Sequence, residues 1–158
     1  KLTKIESPAM NSIDTNILFY ALNEDCDEHE RSKHIVNSAL NTPSEWIIAD
    51  QVYFELYRLL RNPAVLDRPC SASGACELVD FYRNRTGWMV CAYQTSFMKD
   101  LNDRMKDETF PARNTFDLRL AITLKKNGVT LLYTRNTGDF ESFDWFTVIN
   151  PMDTVSPE

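Results

Sequence analysis

Several things are missing from this 158-residue chain, and each absence narrows what it can do. No apolar run approaches the roughly 20 residues that cross a bilayer as a helix, so no membrane-spanning role is expected. Residues 1–10 lack the apolar stretch of a secretory signal, and the expected location is the cytoplasm. Low-complexity tracts and internal repeats are absent, which excludes repeat architectures. The four cysteines, Cys26, Cys70, Cys76 and Cys91, form no Cys-x-x-Cys pair, and His29 and His34 are five apart rather than on one helical face. A structural zinc site is therefore not expected; reduced, mostly buried thiols are. A basic excess is also missing. The 17 Lys and Arg are outnumbered by 23 Asp and Glu, for a net charge of −6. Phosphate binding ordinarily wants a basic face, so the overall charge by itself argues against a nucleic-acid partner.

What is present is an ordinary globular composition, 43% hydrophobic and 25% charged, at a length that suits one domain with a core. Residues 10–151 are expected to form that domain, with 1–9 a flexible leader, Met10 a candidate start, and 152–158 a tail. Short apolar runs at 11–14, 46–49, 88–93, 129–133 and 145–149 read as strands. Helices are expected over 17–22, from the acidic stretch at 24–30 to about residue 40, and over 51–60, 71–84, 96–106 and 114–126. Asn62-Pro63 stops the third of these, and Asn127-Gly128 caps the last. The acids Glu24, Asp25, Asp27, Glu28 and Glu30 read more simply as carboxylates favoured by a helix N-terminus than as a metal site. Alternating strands and helices imply βαβ units and a parallel sheet, with chemistry at the carboxyl ends of the strands.

Four acids fall near that edge. Asp14 follows the first strand, Asp139 lies just past the fourth, and Glu55 and Asp117 sit in early turns of helices. Each has a bland alternative: Asp14 as a helix cap, Glu55 as a solvated helix residue, Asp117 as a dipole partner, Asp139 in a turn. Their neighbours weigh against four independent bland roles. Ile13 and Ile17 flank Asp14, Phe54 and Leu56 flank Glu55, Phe116 and Leu118 flank Asp117, and Phe140 follows Asp139. Buried like charges repel, so a shared site calls for cations. An all-oxygen donor set selects Mg²⁺ or Mn²⁺, which suits phosphodiester hydrolysis.

Ser12-Ile13-Asp14-Thr15-Asn16-Ile17-Leu18 resembles the opening Asp-Thr-Asn signature of PIN domains. The helix segment Phe54-Glu55-Leu56-Tyr57-Arg58-Leu59-Leu60 is similar to their second acidic block, and Thr115-Phe116-Asp117-Leu118-Arg119-Leu120-Ala121 to their third. Thr134-Arg135-Asn136-Thr137-Gly138-Asp139-Phe140 resembles the block that closes the site. Taken in order, the four blocks resemble the PIN-domain family and its VapC-type toxin ribonucleases. The resemblance implies a three-layer α/β/α sandwich around a parallel sheet of about five strands. It also implies a Mg²⁺- or Mn²⁺-dependent endoribonuclease acting on RNA, a small antitoxin partner and a homodimer. By position, Asp14, Glu55, Asp117 and Asp139 are the acidic quartet, while Asn16, Thr134 and Asn136 support it. The first strand departs from the family pattern, with Asn11 and Ser12 where apolar residues are usual. Asp117 stands without the further acids members often carry, and metal stoichiometry stays open.

Local chemistry answers the charge objection. Two Mg²⁺ ions would take −6 to −2, and metals reverse the local potential. Arg135, Arg119 and Arg113, with Arg58, are candidate phosphate contacts. Trp88, Tyr93 and Phe97 are expected to pack in the core rather than stack on bases. The alternative to an enzyme is a PIN-like module that binds RNA or protein with little nuclease activity. A phosphoacceptor domain is disfavoured because Asp14 has no acidic neighbour and the closing block has no lysine; an Asp-x-Asp phosphatase is disfavoured because Asn16 holds the second acid's place.

Overall fold

A computed structural model of the chain describes residues 1–4 and 8–153. The expected leader and tail lie partly outside them. Five short parallel strands, β1 (Met10–Ile13), β2 (Ile47–Ala49), β3 (Met89–Cys91), β4 (Val129–Tyr133) and β5 (Thr147–Ile149), form two sheet segments. One has the order β1-β4-β5 and the other pairs β2 with β3. An isolated parallel bridge between Asn11 and Trp46 joins them. The expected five-stranded parallel sheet is thus present, with a seam between its first and second strands.

Six helices connect the strands: α1 (Thr15–Leu22), α2 (His29–Asn41), α3 (Asp50–Leu60), α4 (Ala72–Asn84), α5 (Met98–Met105) and α6 (Thr115–Lys126). Helix α1 packs on α2 and α3, and α3 on α4; α5 packs on α6, which lies against β2 and β4. Their apolar faces meet in one core that includes Ile13, Ile17, Leu18, Ile48, Leu56, Leu118, Leu124 and Leu132, all fully buried. Trp88 and Phe97 belong to this core, as expected, and the Trp88 indole N–H donates to the Ala39 carbonyl at 3.0 Å.

Most helix bounds agree with the sequence to within two residues, but the acidic stretch does not. It forms turns, not the start of α2, and only Glu30 lies in that helix's first turn. The Asn23 N–H closes onto Phe19 and Tyr20 and ends α1; Cys26 N–H to Asn23 O and His29 N–H to Cys26 O then fold the segment back on itself. The thiols are also less covered than expected: Cys91 is buried, Cys26 and Cys70 are half-buried, and Cys76 is exposed. Gly128 adopts φ +78° directly after the Asn127 cap of α6, the left-handed geometry that glycine takes without penalty. The polar start of the first strand has a cost. Ser12 is buried and its hydroxyl has no hydrogen-bond partner, a desolvated polar group where an apolar side chain would pack.

Candidate active site

Asp14 sits where β1 ends and α1 begins. Its N–H donates to the Tyr133 carbonyl at 2.9 Å, continuing the β1–β4 ladder, and its Oδ1 accepts the Thr15 N–H at 2.7 Å as the N-cap of α1. The capping role and a site role therefore fall to one side chain. The other oxygen, Oδ2, accepts the Thr134 hydroxyl at 2.8 Å and the Asn16 amide at 3.5 Å. Asp14 is 7% exposed. Burial raises its pKa to about 6; the Thr134 and Thr15 hydrogen bonds pull it down, and the charges of Glu55 and Asp139 push it up again.

Glu55 lies on α3, on the far side of the sheet seam from Asp14. Its Oε2 accepts the Thr15 hydroxyl at 2.8 Å and its Oε1 accepts the Gln51 amide at 3.1 Å. Asp117 lies in the first turn of α6 and is half-buried. A 3-10 turn, Ala112–Asn114, directly precedes that helix. Burial raises the pKa of Asp117 to about 6, with further contributions from Asp139, Asp14 and Glu55. Asp139 ends the 3-10 turn Thr137–Asp139, and the fully buried Phe140 anchors that turn in the core.

The four sequence-derived acids therefore act on one another electrostatically at a single edge of the sheet. Among the described residues, no three Asp, Glu, His or Cys side chains close on one point as a ready-made cage. Carboxylates that repel spread apart, and a hard ion that keeps several waters needs only one or two protein oxygens. The donor set fits such an ion. It is all oxygen, and two of its carboxylates are held at raised proton affinity by burial and by neighbouring negative charge.

Among the supporting residues, Thr134 is fully buried, and Asn16 bridges it to Asp14 with an amide 3.4 Å from the Thr134 hydroxyl. Asn136 is exposed; its backbone N–H bonds to the Thr134 hydroxyl at 3.1 Å. Arg119 lies 4.6 Å over the Tyr93 ring and donates to Gln51 at 2.9 Å. Arg113 and Arg58 are exposed. The guanidinium of Arg135 is paired with Glu28 and donates to the Tyr20 hydroxyl at 3.3 Å.

Three participants escaped the sequence reading: Thr15, Gln51 and Glu28. Gln51 was detectable, since it lies one helical turn before Glu55. Thr15 lies inside the Asp-Thr-Asn signature, but its bond to Glu55, like the pairing of Glu28 with Arg135, crosses the fold and has no local signal. The apolar flanks also behave differently from expectation. Phe54 is 69% exposed and Phe116 66%, whereas the other flanking residues, Ile13, Ile17, Leu56, Leu118 and Phe140, are buried. Gln51, Phe54, Glu55, Tyr93, Phe116 and Arg119 line a cleft of about 430 Å³ that shares Glu55 with the acid cluster. A larger groove of about 920 Å³, between the end of α1 and the α3–α4 connection, contains none of the four acids.

No protein-family model matches the chain. Ribonuclease VapC24 of Mycobacterium tuberculosis is 34% identical over 143 residues, spanning 90% of this chain and 97% of the relative. Among solved structures, M. tuberculosis VapC20, described as a Sarcin-Ricin loop cleaving toxin, superposes with a TM-score of 0.65 at 17% identity, covering 85% of this chain and 95% of that one. VapBC2 of Rickettsia felis, solved on a DNA fragment from its promoter, superposes with a TM-score of 0.60 at 16% identity, covering 89% and 98%.

Proposed function

The chain belongs to the VapC ribonuclease family, and from that premise we propose that it is a divalent-metal-dependent endoribonuclease, the toxin of a toxin–antitoxin pair. The observation that carries the metal site is the pair Asp14 and Asp117, whose pKa values rise to about 6 through burial and through a shared negative field with Glu55 and Asp139. Carboxylates so arranged disfavour their own ionisation unless a cation joins them. Mg²⁺ or Mn²⁺ bound there would offset this charge, polarise a phosphodiester and make a water more acidic.

The chain's own residues do the positioning. Thr15 links two of the acids, with its N–H on Asp14 and its hydroxyl on Glu55. Thr134 and Asn16 fix the second oxygen of Asp14. Gln51 orients Glu55 and at the same time holds Arg119, which lies beside the cleft as a candidate phosphate contact, as does the exposed Arg113. RNA is the proposed substrate, and a second copy of the chain and a small antitoxin are the proposed protein partners; the VapBC2 complex supports the antitoxin. The cytoplasm is the proposed location. Among the described residues, no helix is long and apolar enough to cross a membrane.

Cleavage of a labelled single-stranded oligoribonucleotide in Mn²⁺, with and without a chelator, tests the reading. Asp14→Asn and Asp117→Asn should each abolish cleavage while circular dichroism stays native. Wild-type cleavage rates in both variants would sink it, and a folded wild-type chain that binds no Mn²⁺ would indicate a binding module.

A further inference from the structure

We propose that Glu28 is a positioning residue for the acid cluster, acting through Arg135 to fix the loop that presents Thr134 to Asp14. The inference rests on the nuclease reading for its biological meaning, but its geometry stands separately.

Glu28 immediately precedes α2, and its carboxylate pairs with the Arg135 guanidinium. Among the described ion pairs it is the most covered acid, at 17% side-chain exposure; the next, Asp50, is at 31%. Arg135 itself is 44% exposed, so the cover lies on the acid's side of the pair and reduces solvent screening there. Tyr20 completes the grip: its ring lies 5.7 Å from the guanidinium carbon and its hydroxyl accepts an Arg135 N–H at 3.3 Å. The turn that carries Glu28 is itself fixed. The Tyr20 carbonyl lies 3.0 Å from His29 Nδ1, and Cys26 Sγ lies 3.2 Å from the Asn23 carbonyl.

On the other side, the backbone of the gripped residue is part of the site. Arg135 N–H donates to Asn16 Oδ1 at 3.2 Å, and the next N–H, of Asn136, donates to Thr134 Oγ1 at 3.1 Å. That hydroxyl donates to Asp14 Oδ2 at 2.8 Å. A continuous path therefore runs from Glu28 through the Arg135 side chain and backbone to Thr134, Asn16 and Asp14. Strand β4 ends at Tyr133, and the Thr134 N–H still donates to the Ile149 carbonyl at 3.0 Å, but beyond Thr134 no strand pairing among the described residues holds the loop. Glu28 supplies that constraint from the α1–α2 turn, and one acid of the stretch 24–30 thereby gains a specific task.

Glu28→Gln and Arg135→Gln test this in the full chain, with the double variant and Glu28→Asp. The first readout is amide hydrogen exchange in metal-free protein. Exchange at Arg135 and Asn136 should quicken about tenfold in Glu28→Gln, while the β4 amides stay as in wild type. The second is calorimetry with Mn²⁺, where outer-shell losses typically weaken affinity 10- to 100-fold; about tenfold is expected here, partly restored in Glu28→Asp. The third is oligoribonucleotide cleavage: kcat about tenfold lower with KM within twofold, and the double variant no worse than either single one. Unchanged exchange at Arg135 and Asn136 overturns the proposal. So does a raised KM in Arg135→Gln with Glu28→Gln silent, which would make Arg135 a direct phosphate contact. A wild-type chain that cleaves no RNA defeats the nuclease reading alone, because the exchange readout still judges the clamp.

Discussion

The Thr134 hydroxyl donates a 2.8 Å hydrogen bond to Asp14 Oδ2 across the β1–β4 ladder, between residues 120 apart in sequence. It is the largest single influence lowering the pKa of Asp14. Thr134→Val removes the donor at nearly constant volume. The expected result is an Asp14 that holds its proton more tightly, Mn²⁺ affinity reduced 10- to 100-fold, and stability lower by about 1.5–3 kcal/mol, the range for hydrogen bonds to charged groups. Calorimetry and urea unfolding measure both effects; unchanged Mn²⁺ affinity contradicts the assignment.

The raised pKa values set a pH dependence. Asp14 and Asp117 go from 3.8 to about 6, so between those values the folded chain binds more protons than the unfolded one. Their contribution to stability is full below pH 4 and is lost as the pH rises through 6. For Asp14 the loss is on the order of 3 kcal/mol. Metal-free protein should therefore lose melting temperature from this source over that window, and Mg²⁺ should restore it at pH 7. Asp14→Asn should flatten the pH profile and reduce the Mg²⁺ response; a full Mg²⁺ response in that variant refutes the site.

Phe140 anchors the closing turn. It is 1% exposed and its ring meets Phe143 edge-on with centroids 6.4 Å apart. Phe140→Ala should cost about 3–5 kcal/mol in urea unfolding, and Mn²⁺ binding should weaken as Asp139 loses its support. A loss below 1 kcal/mol would mean the turn is held by other contacts.

Gly128 has φ +78°, and a Cβ added there meets nothing within 4 Å. Gly128→Ala therefore isolates the backbone penalty from any clash. A loss of about 1–2 kcal/mol is expected in thermal or urea melts, with cleavage unchanged because the residue lies at the strand end remote from the acids.

What could be read from the sequence, and what could not, follows the reach of each interaction. Strand β4 matched at both ends because Val129 to Tyr133 is rich in β-branched, apolar and aromatic residues and is closely bounded by Gly128. The convergence of the four acids on one edge was legible because each stands next to apolar residues in strand–helix order, although Phe54 and Phe116, two of those neighbours, are exposed. Helix α2 was started too early because dipole arguments weigh charge and not the turn bonds from Asn23 and Cys26 that end one helix before the next begins. Glu28, Thr15 and the grip on Arg135 depend on contacts between residues 40 or more positions apart, which no local pattern encodes.

The seam in the sheet gives the site a mechanical character. Asp14 and Asp139 follow strands of the three-stranded segment, whereas Glu55 follows β2 of the two-stranded one. Between β1 and β2 the sheet itself contributes one bridge, Asn11 to Trp46, and the Thr15–Glu55 hydrogen bond spans the same gap at the level of the acids. Helix α6, packed on both β2 and β4, already ties the two segments, and any ion gripped from both banks would add a rivet between them, so occupancy of the candidate site would stiffen the protein along that line.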